Sequence, residues 1–147
     1  MSYELIPGIN ISSSGLRAER TRMEVTANNI ANANSRDPQD PTRAYRKKQV
    51  LFEAALNSQK LDTKRPGAHL SGVNVKEIRD SEDSVHYIHD PNHKYANKET
   101  GMVEESSISP INEMIDMISA TRAYEANLNM IRNSKTMAEK TINLGRT

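Results

Sequence analysis

Hydrophobic positions in this 147-residue chain are ordered at its two ends and scattered in its middle. Near the start, Ile9, Leu16, Met23 and Ile30 fall seven residues apart, with Ala27 between the last two. That interval returns to one helix face every second turn, so the spacing predicts an amphipathic helix from about Ser12 to about Ala33. Ser12, Ser13 and Ser14 are candidate N-caps, because a short hydroxyl can accept a bond from a free first-turn amide. Arg17, Glu19, Arg20, Arg22 and Glu24 supply the outer face.

The far end carries a stronger pattern. Met114, Met117, Thr121, Tyr124, Leu128, Ile131, Lys135, Ala138 and Ile142 alternate spacings of three and four. Seven of these nine are apolar, a coiled-coil-like seam over about four heptads. Ile111, Ile115 and Ile118 widen the stripe at its start. Pro110 suits a first helical position, with Ser109 as its cap, and Gly145 marks the stop. The predicted helix runs from about Pro110 to Leu144.

Between the ends the texture changes. Arg36 to Lys48 opens on two Pro turns, Pro38 and Pro41, and then becomes basic. Ala44 to Ala54 alternates as a strand does. Residues 65–72 read as a loop. Gly72–Asp80 and Ser84–Asp90 read as short strands joined by a polar link, residues 90–101 as a second loop, and Met102–Ile108 as extended. The expected fold class is therefore α+β: long terminal helices pairing as a coiled coil, with a small β-rich module between them. The expected division is 1–34 plus 108–147 as a helical assembly domain and 35–107 as the inserted module.

Composition sharpens this picture. There is no Trp, one Phe and five Tyr, and hydrophobic residues make up only 35% of the chain. Aromatic side chains normally carry much of a core's burial. A chain without them builds a narrow helical seam, and part of its burial is expected to come from partner chains. Twenty basic residues against nineteen acidic leave a net charge of +1. That balance supplies no general pull toward nucleic acid or anionic membrane. The lack of cysteine excludes disulfides and thiolate chemistry. No stretch approaches the ~20 apolar residues of a membrane span, and the first residues lack the apolar run of a secretory signal. Composition alone thus reads as a soluble cytoplasmic protein.

Candidate chemistry is sparse. His86, His89 and His93 lie within eight residues beside Asp90. His86 and His89 are three apart, so on a strand they point to opposite faces, and Asp90-Pro91 is a natural turn start. No metal site is expected. Arg43 to Lys48 interleaves basic residues with Tyr45, which suits either a nucleic acid, a solvated strand face or an acidic partner surface. No catalytic motif is present: no nucleophile elbow, no phosphate-cradling Gly-rich loop and no H-E-x-x-H. Neither a catalytic residue nor a cofactor is expected.

The amides ask a different question. Asn28, Asn29, Asn32 and Asn34 crowd the end of the first helix, and Asn112, Asn127, Asn129, Asn133 and Asn143 stud the second. Asparagine is a poor helix-interior residue, because its short amide competes for backbone hydrogen bonds. Thr121 and Lys135 also interrupt the seam, and a polar residue there sets register and partner choice at a cost in stability. Amides on several helix faces suit contact with more than one neighbour.

At this point the residues resemble a known family. Ser12 to Ser35, above all the A-N-N-I-A-N-A-N run from Ala27 to Asn34, is similar to the N-terminal signature of flagellar axial proteins of the rod and hook group. Asn112 to Arg146, with "ISATRAYEAN" from Ile118 to Asn127, resembles the matching C-terminal signature. In the middle, "YRKKQVLFEAAL", "GVNVKEIRD" and the turn carrying Asp90, Pro91 and His93, followed by Gly101 and Val103, resemble the proximal-rod family of that group. Met102 stands where that family usually has an aromatic residue.

The resemblance implies a structural subunit without catalytic activity. Its terminal helices would pair as a coiled coil and pack with neighbours into a periplasmic tube that carries torque from the motor ring to the distal rod and hook. Export would use the flagellar type III apparatus and no cleaved signal, which replaces the cytoplasmic reading. Expected partners are the sibling proximal-rod subunits FlgB and FlgF, the adaptor FliE at the export gate and MS ring, the distal-rod FlgG, further copies of the chain, and the export apparatus in transit. No nucleic acid and no membrane insertion are expected. The subunit-assembly interface would comprise Ile9, Leu16, Met23, Asn28, Asn29, Ile30, Asn32 and Asn34 of the first helix. From the second it would take Met114, Met117, Ile118, Thr121, Tyr124, Asn127, Leu128 and Ile131. The four clustered amides would bond to adjacent chains and close the first helix. A sibling rod subunit is the nearest alternative. The alternative from another class is a soluble coiled-coil regulator or nucleic-acid-binding protein that uses Arg43 to Lys48.

Overall fold

A computed structural model of the chain describes residues 7–56 and 70–145. Two helices bracket four strands: α1 (Pro7–Asn32), β1 (Lys48–Leu56), β2 (Leu70–Asp80), β3 (Val85–His89), β4 (Met102–Ser106) and α2 (Pro110–Leu144). A single 3-10 turn, Glu82–Ser84, links β2 to β3. The fold class is α+β. Residues 65–69 of the expected loop lie outside the described residues, and Leu70 to Gly72 belong to β2 rather than to a loop.

Helix α1 begins five residues before Ser12. Pro7 takes the first helical position, where its missing N–H is no loss and its fixed φ suits the helix. The three serines are therefore inside the helix and do not cap it. Helix α2 spans Pro110–Leu144 as its pattern predicts. Its first bond runs from the Glu113 N–H to the Ser109 carbonyl, and its last turn closes with the Gly145 N–H on the Thr141 carbonyl.

The strands pair as neighbours in sequence, but β2 and β3, joined by the shortest link, do not pair with each other. β1 pairs with β2 and β3 with β4, in two separate two-stranded sheets. The β3–β4 ladder is antiparallel, with Val85 opposite Ser106, His86 opposite Glu105 and Ile88 opposite Val103. The turn ahead of β4 needs Gly101, whose φ of +66° suits a residue without a Cβ. Ala44 lies outside β1 and instead makes one isolated bridge with Arg36.

The chain divides into two compact units, and each contains segments of both helices. The first comprises Met1–Thr21, Leu51–Glu77 and Ala120–Thr147; the second comprises Arg22–Val50 and Ile78–Ser119. In the first unit, Ser14 ties helix to strand. Its hydroxyl donates to the Ile11 carbonyl at 2.7 Å and accepts the Val73 N–H at 3.0 Å. Gly72 permits that approach, since it holds φ +125° and a Cβ there would run into the Ser14 hydroxyl. Gly15 faces Asn127 so closely that a Cβ would lie 2.9 Å from its amide nitrogen. The missing Cβ of Gly15 leaves room for the Asn127 amide.

Candidate functional site

The second unit is organised around one buried amide. Asn29 is 1% exposed. Its Nδ2 donates at 2.9 Å both to the Lys48 carbonyl and to Oε2 of Glu113, and its Oδ1 accepts the Lys48 N–H at 2.9 Å. The Tyr45 hydroxyl adds a longer contact of 3.4 Å to the same oxygen. Glu113, itself 2% exposed, pairs through Oε1 with the Lys47 ammonium. The Lys47 N–H donates to the Ser84 hydroxyl, and the Lys47 carbonyl accepts the Ser81 N–H. The start of α2, the end of α1, the entry to β1 and the 3-10 turn are thus joined by one polar network. Buried polar groups are tolerated when each has a partner, and here each named group has one.

Two acids in this unit feel their surroundings. Burial pushes the Tyr45 phenol above its ordinary value, and the charges of Asp80 and Glu113 add to the rise. Asp40 is held below the usual carboxylate value by the Thr42 hydroxyl and then the Thr42 N–H.

The clustered asparagines therefore separate. Asn29 is satisfied within the chain. Asn32 donates to the Asn28 carbonyl one turn back, while the Asn28 and Asn34 side chains are exposed. Ile9, Leu16, Met23 and Ile30 are half-buried, and the fully buried α1 positions include Ser14, Ala18, Val25, Thr26 and Asn29. Most of these are small or polar, which the apolar heptad could not reveal.

Helix α2 follows the same rule. Its less exposed row is Glu113, Met117, Ala120, Tyr124, Asn127, Ile131, Ser134 and Ala138, again with alternating intervals of four and three. It shares Met117, Tyr124, Ile131 and Ala138 with the expected seam and lies one residue earlier at the others. Ala120 has no exposure at all. Large apolar residues stand outward instead: Ile111 is 71% exposed, and Met114, Ile115 and Ile118 are each more than half exposed. Thr121 is exposed and Leu128 half-buried. At the positions where the two rows differ, the less exposed row carries Glu113, Ala120, Asn127 and Ser134, which are small or polar, so apolar spacing does not mark them.

The basic run is partly consumed by acids of the same unit. Lys47 meets Glu113, and Arg46 Nη2 lies 3.5 Å from Glu104 Oε1. His86 Nε2 lies 3.2 Å from Glu105 Oε2 across the β3–β4 ladder. Among the described residues, no group of three acids, histidines or cysteines is placed to hold a metal ion. No described helix is long and apolar enough to cross a membrane.

Two long end helices, the second with exposed large apolar residues, frame two small sheets, and the comparisons with known proteins agree on one class for such a chain. A family model described as "Flagella basal body rod protein" matches residues 9–36, and one described as "Flagellar basal body rod FlgEFG protein C-terminal" matches residues 99–144. The chain is 34% identical to the flagellar basal-body rod protein FlgC of Bacillus subtilis, over 94% of this chain and 96% of that protein. It is 35% identical to FlgC of Borreliella burgdorferi over 90% and 92%, and 33% identical to FlgC of an Escherichia coli strain over 92% and 94%. These are rod proteins of the flagellar basal body. The chain belongs to the FlgC family of flagellar basal-body rod proteins.

Proposed function

We propose that this chain is a structural subunit of the flagellar rod in the basal body, and that its work is assembly rather than catalysis. The observation that carries the reading is the outward apolar row at the start of α2. Ile111, Met114, Ile115 and Ile118 expose more than half of each side chain. A contiguous exposed patch of this kind calls for burial against another protein. The family likeness supplies the assembly in which that burial would occur.

In the proposed arrangement, α1 and α2 pair as a coiled coil within the subunit and pack with neighbours into a tube. FlgB, FlgF, FliE, FlgG and further copies of the chain are the proposed neighbours. The segments 1–34 and 108–147 form the assembly part, and 35–107 lies outside the tube. Of the expected interface residues, Asn28, Asn34, Met114 and Ile118 are exposed and would meet other chains. The tube passes torque from the motor ring toward the hook through the periplasm, and the subunit reaches it by type III export without a cleaved signal.

Mass spectrometry of purified hook–basal bodies tests the reading. The chain is expected at a few copies per particle, below the distal-rod subunit. Its absence from intact particles would overturn the proposal.

A further inference from the structure

Each helix carries a second row on the face turned away from its buried one. On α2 that row is Ile111, Ile115, Ile118, Arg122 and Glu125, all exposed. On α1 it is Arg17, Arg20, Glu24, Ala27 and Ala31, likewise exposed. Intervals of three and four keep each row on one helix face, as in a helix–helix seam. Within the second unit, three isoleucines stand out on α2, whereas α1 shows the small side chains of Ala27 and Ala31. Within the first unit, Arg17 stands out on α1 and Glu125 on α2. Among the described residues neither of these enters an ion pair.

The two rows match when one is read backward. From Arg17 to Ala31 the steps are three, four, three and four, and from Glu125 back to Ile111 they are the same. Set antiparallel, the rows bring Arg17 to Glu125, Ala27 to Ile115 and Ala31 to Ile111. Small side chains opposite large ones let such layers interdigitate, and the opposite charges sit where the apolar part ends. Glu24 lies against Ile118, with Arg122 one turn away. Arg122 also faces Arg20, so its repulsion from one and attraction to the other nearly offset. A slip of one heptad is worse in either direction. One slip sets Arg17 against the exposed Arg132 and Glu24 against Glu125, and the other buries Arg17 and Arg20 on Ile118 and Ile115. Within one chain the same register sets Asn29 against Glu113 through the inner faces, so the outer rows are left to meet another molecule.

We propose that the outward α2 row docks antiparallel on the outward α1 row of a second copy of this chain, level with it. The proposal rests on the assembly reading above and names one contact within it. The two rows are different surfaces, so the interface is heterologous. Each copy offers both halves, and the contact repeats from copy to copy.

Disulfide trapping tests this, because the chain has no cysteine of its own. Cells carrying two versions of the chain, one Arg17→Cys and the other Glu125→Cys, are expected to yield basal bodies in which mild oxidation links the two versions. The pairing of Arg17→Cys with Arg132→Cys, which reports the slipped register, should stay unlinked. In a second arm, Arg17→Glu and Glu125→Arg should each lower incorporation into particles roughly fivefold, the upper end for an exposed ion pair. The double variant should restore it, since both halves of every contact are then exchanged. Circular dichroism should show unchanged helix content in all three, because both side chains are exposed. Versions that stay unlinked, as when a sibling subunit occupies the row, would overturn the proposal. So would a link through Arg132→Cys instead, or a double variant incorporated no better than the single ones. In each case the wild-type chain is present in particles, so the rod assignment survives. Absence of the wild-type chain from particles would remove both.

Discussion

Replacing Asn29 by alanine is the sharpest test of the polar network. The side chain makes three bonds of 2.9 Å, two to the backbone of Lys48 and one to Glu113. Truncation leaves the Lys48 N–H, the Lys48 carbonyl and one oxygen of Glu113 without those partners. A buried polar group left unmatched costs about 1–3 kcal/mol. The bonds to Lys48 are only part-buried, so water recovers some of the loss there, whereas the Glu113 bond is fully buried. The expected total is roughly 2–5 kcal/mol, the upper part of the range for single substitutions. Urea unfolding of the purified full chain, followed by circular dichroism, reads this as a lower midpoint. Hydrogen exchange at the Lys48 amide should accelerate in step. Asn29→Asp retains an acceptor for Lys48 but sets a second carboxylate against Glu113, so its loss should ease as pH falls toward the carboxylate range. A change below about 0.5 kcal/mol for Asn29→Ala, with Lys48 exchange unaltered, would refute the reasoning.

Other outcomes follow from the same geometry. Gly72→Ala should destabilise the first unit, both from its φ of +125° and from the Ser14 hydroxyl in its path. Adding Ser14→Ala should recover only part of that loss in a thermal melt, and full recovery would show that backbone conformation is not limiting. Ile115→Asp and Ile118→Asp should leave helix content intact by circular dichroism yet reduce the chain in basal bodies, and normal incorporation would argue against the α2 row as a contact. The Tyr45 phenol is raised in the fold, so the stability tied to its neutral form is whole below pH 10 and declines as pH climbs through its folded value. Alkaline titration at 295 nm should show one late phenol, and Tyr45→Phe should remove that phase and soften the alkaline decline.

Several elements were legible from the residues alone. The limits of α2 follow from Pro110 and Gly145, and β3 and β4 fall where short alternating runs sit between turns. The start of α1 was not legible, because three serines look like a cap until Pro7 is seen to begin the helix. Strand pairing escaped too, since the short link of residues 81–84 joins β2 and β3, which do not pair, while the long links of 57–69 and 90–101 join strands that do. Within the single chain the less exposed α2 row lies one residue before the apolar seam at every other position, because apolar periodicity marks large side chains and that row carries small ones such as Ala120 and Ser134. Asn29 was recognised as unusual, but its partners lie 19 and 84 residues away, beyond any local pattern.

The placement of small and amide residues on the inner rows, with large apolar ones outside, separates two kinds of heritable change. Substitutions at Ala120, Gly15 or Asn29 act on packing inside the chain. Substitutions at Ile111, Ile115 or Ile118 act on its exposed surface. A duplicated copy of such a gene could therefore drift on its outward rows and acquire new neighbours while its interior is held constant by selection. A stack of related but non-interchangeable subunits could arise in this way from a single ancestral gene.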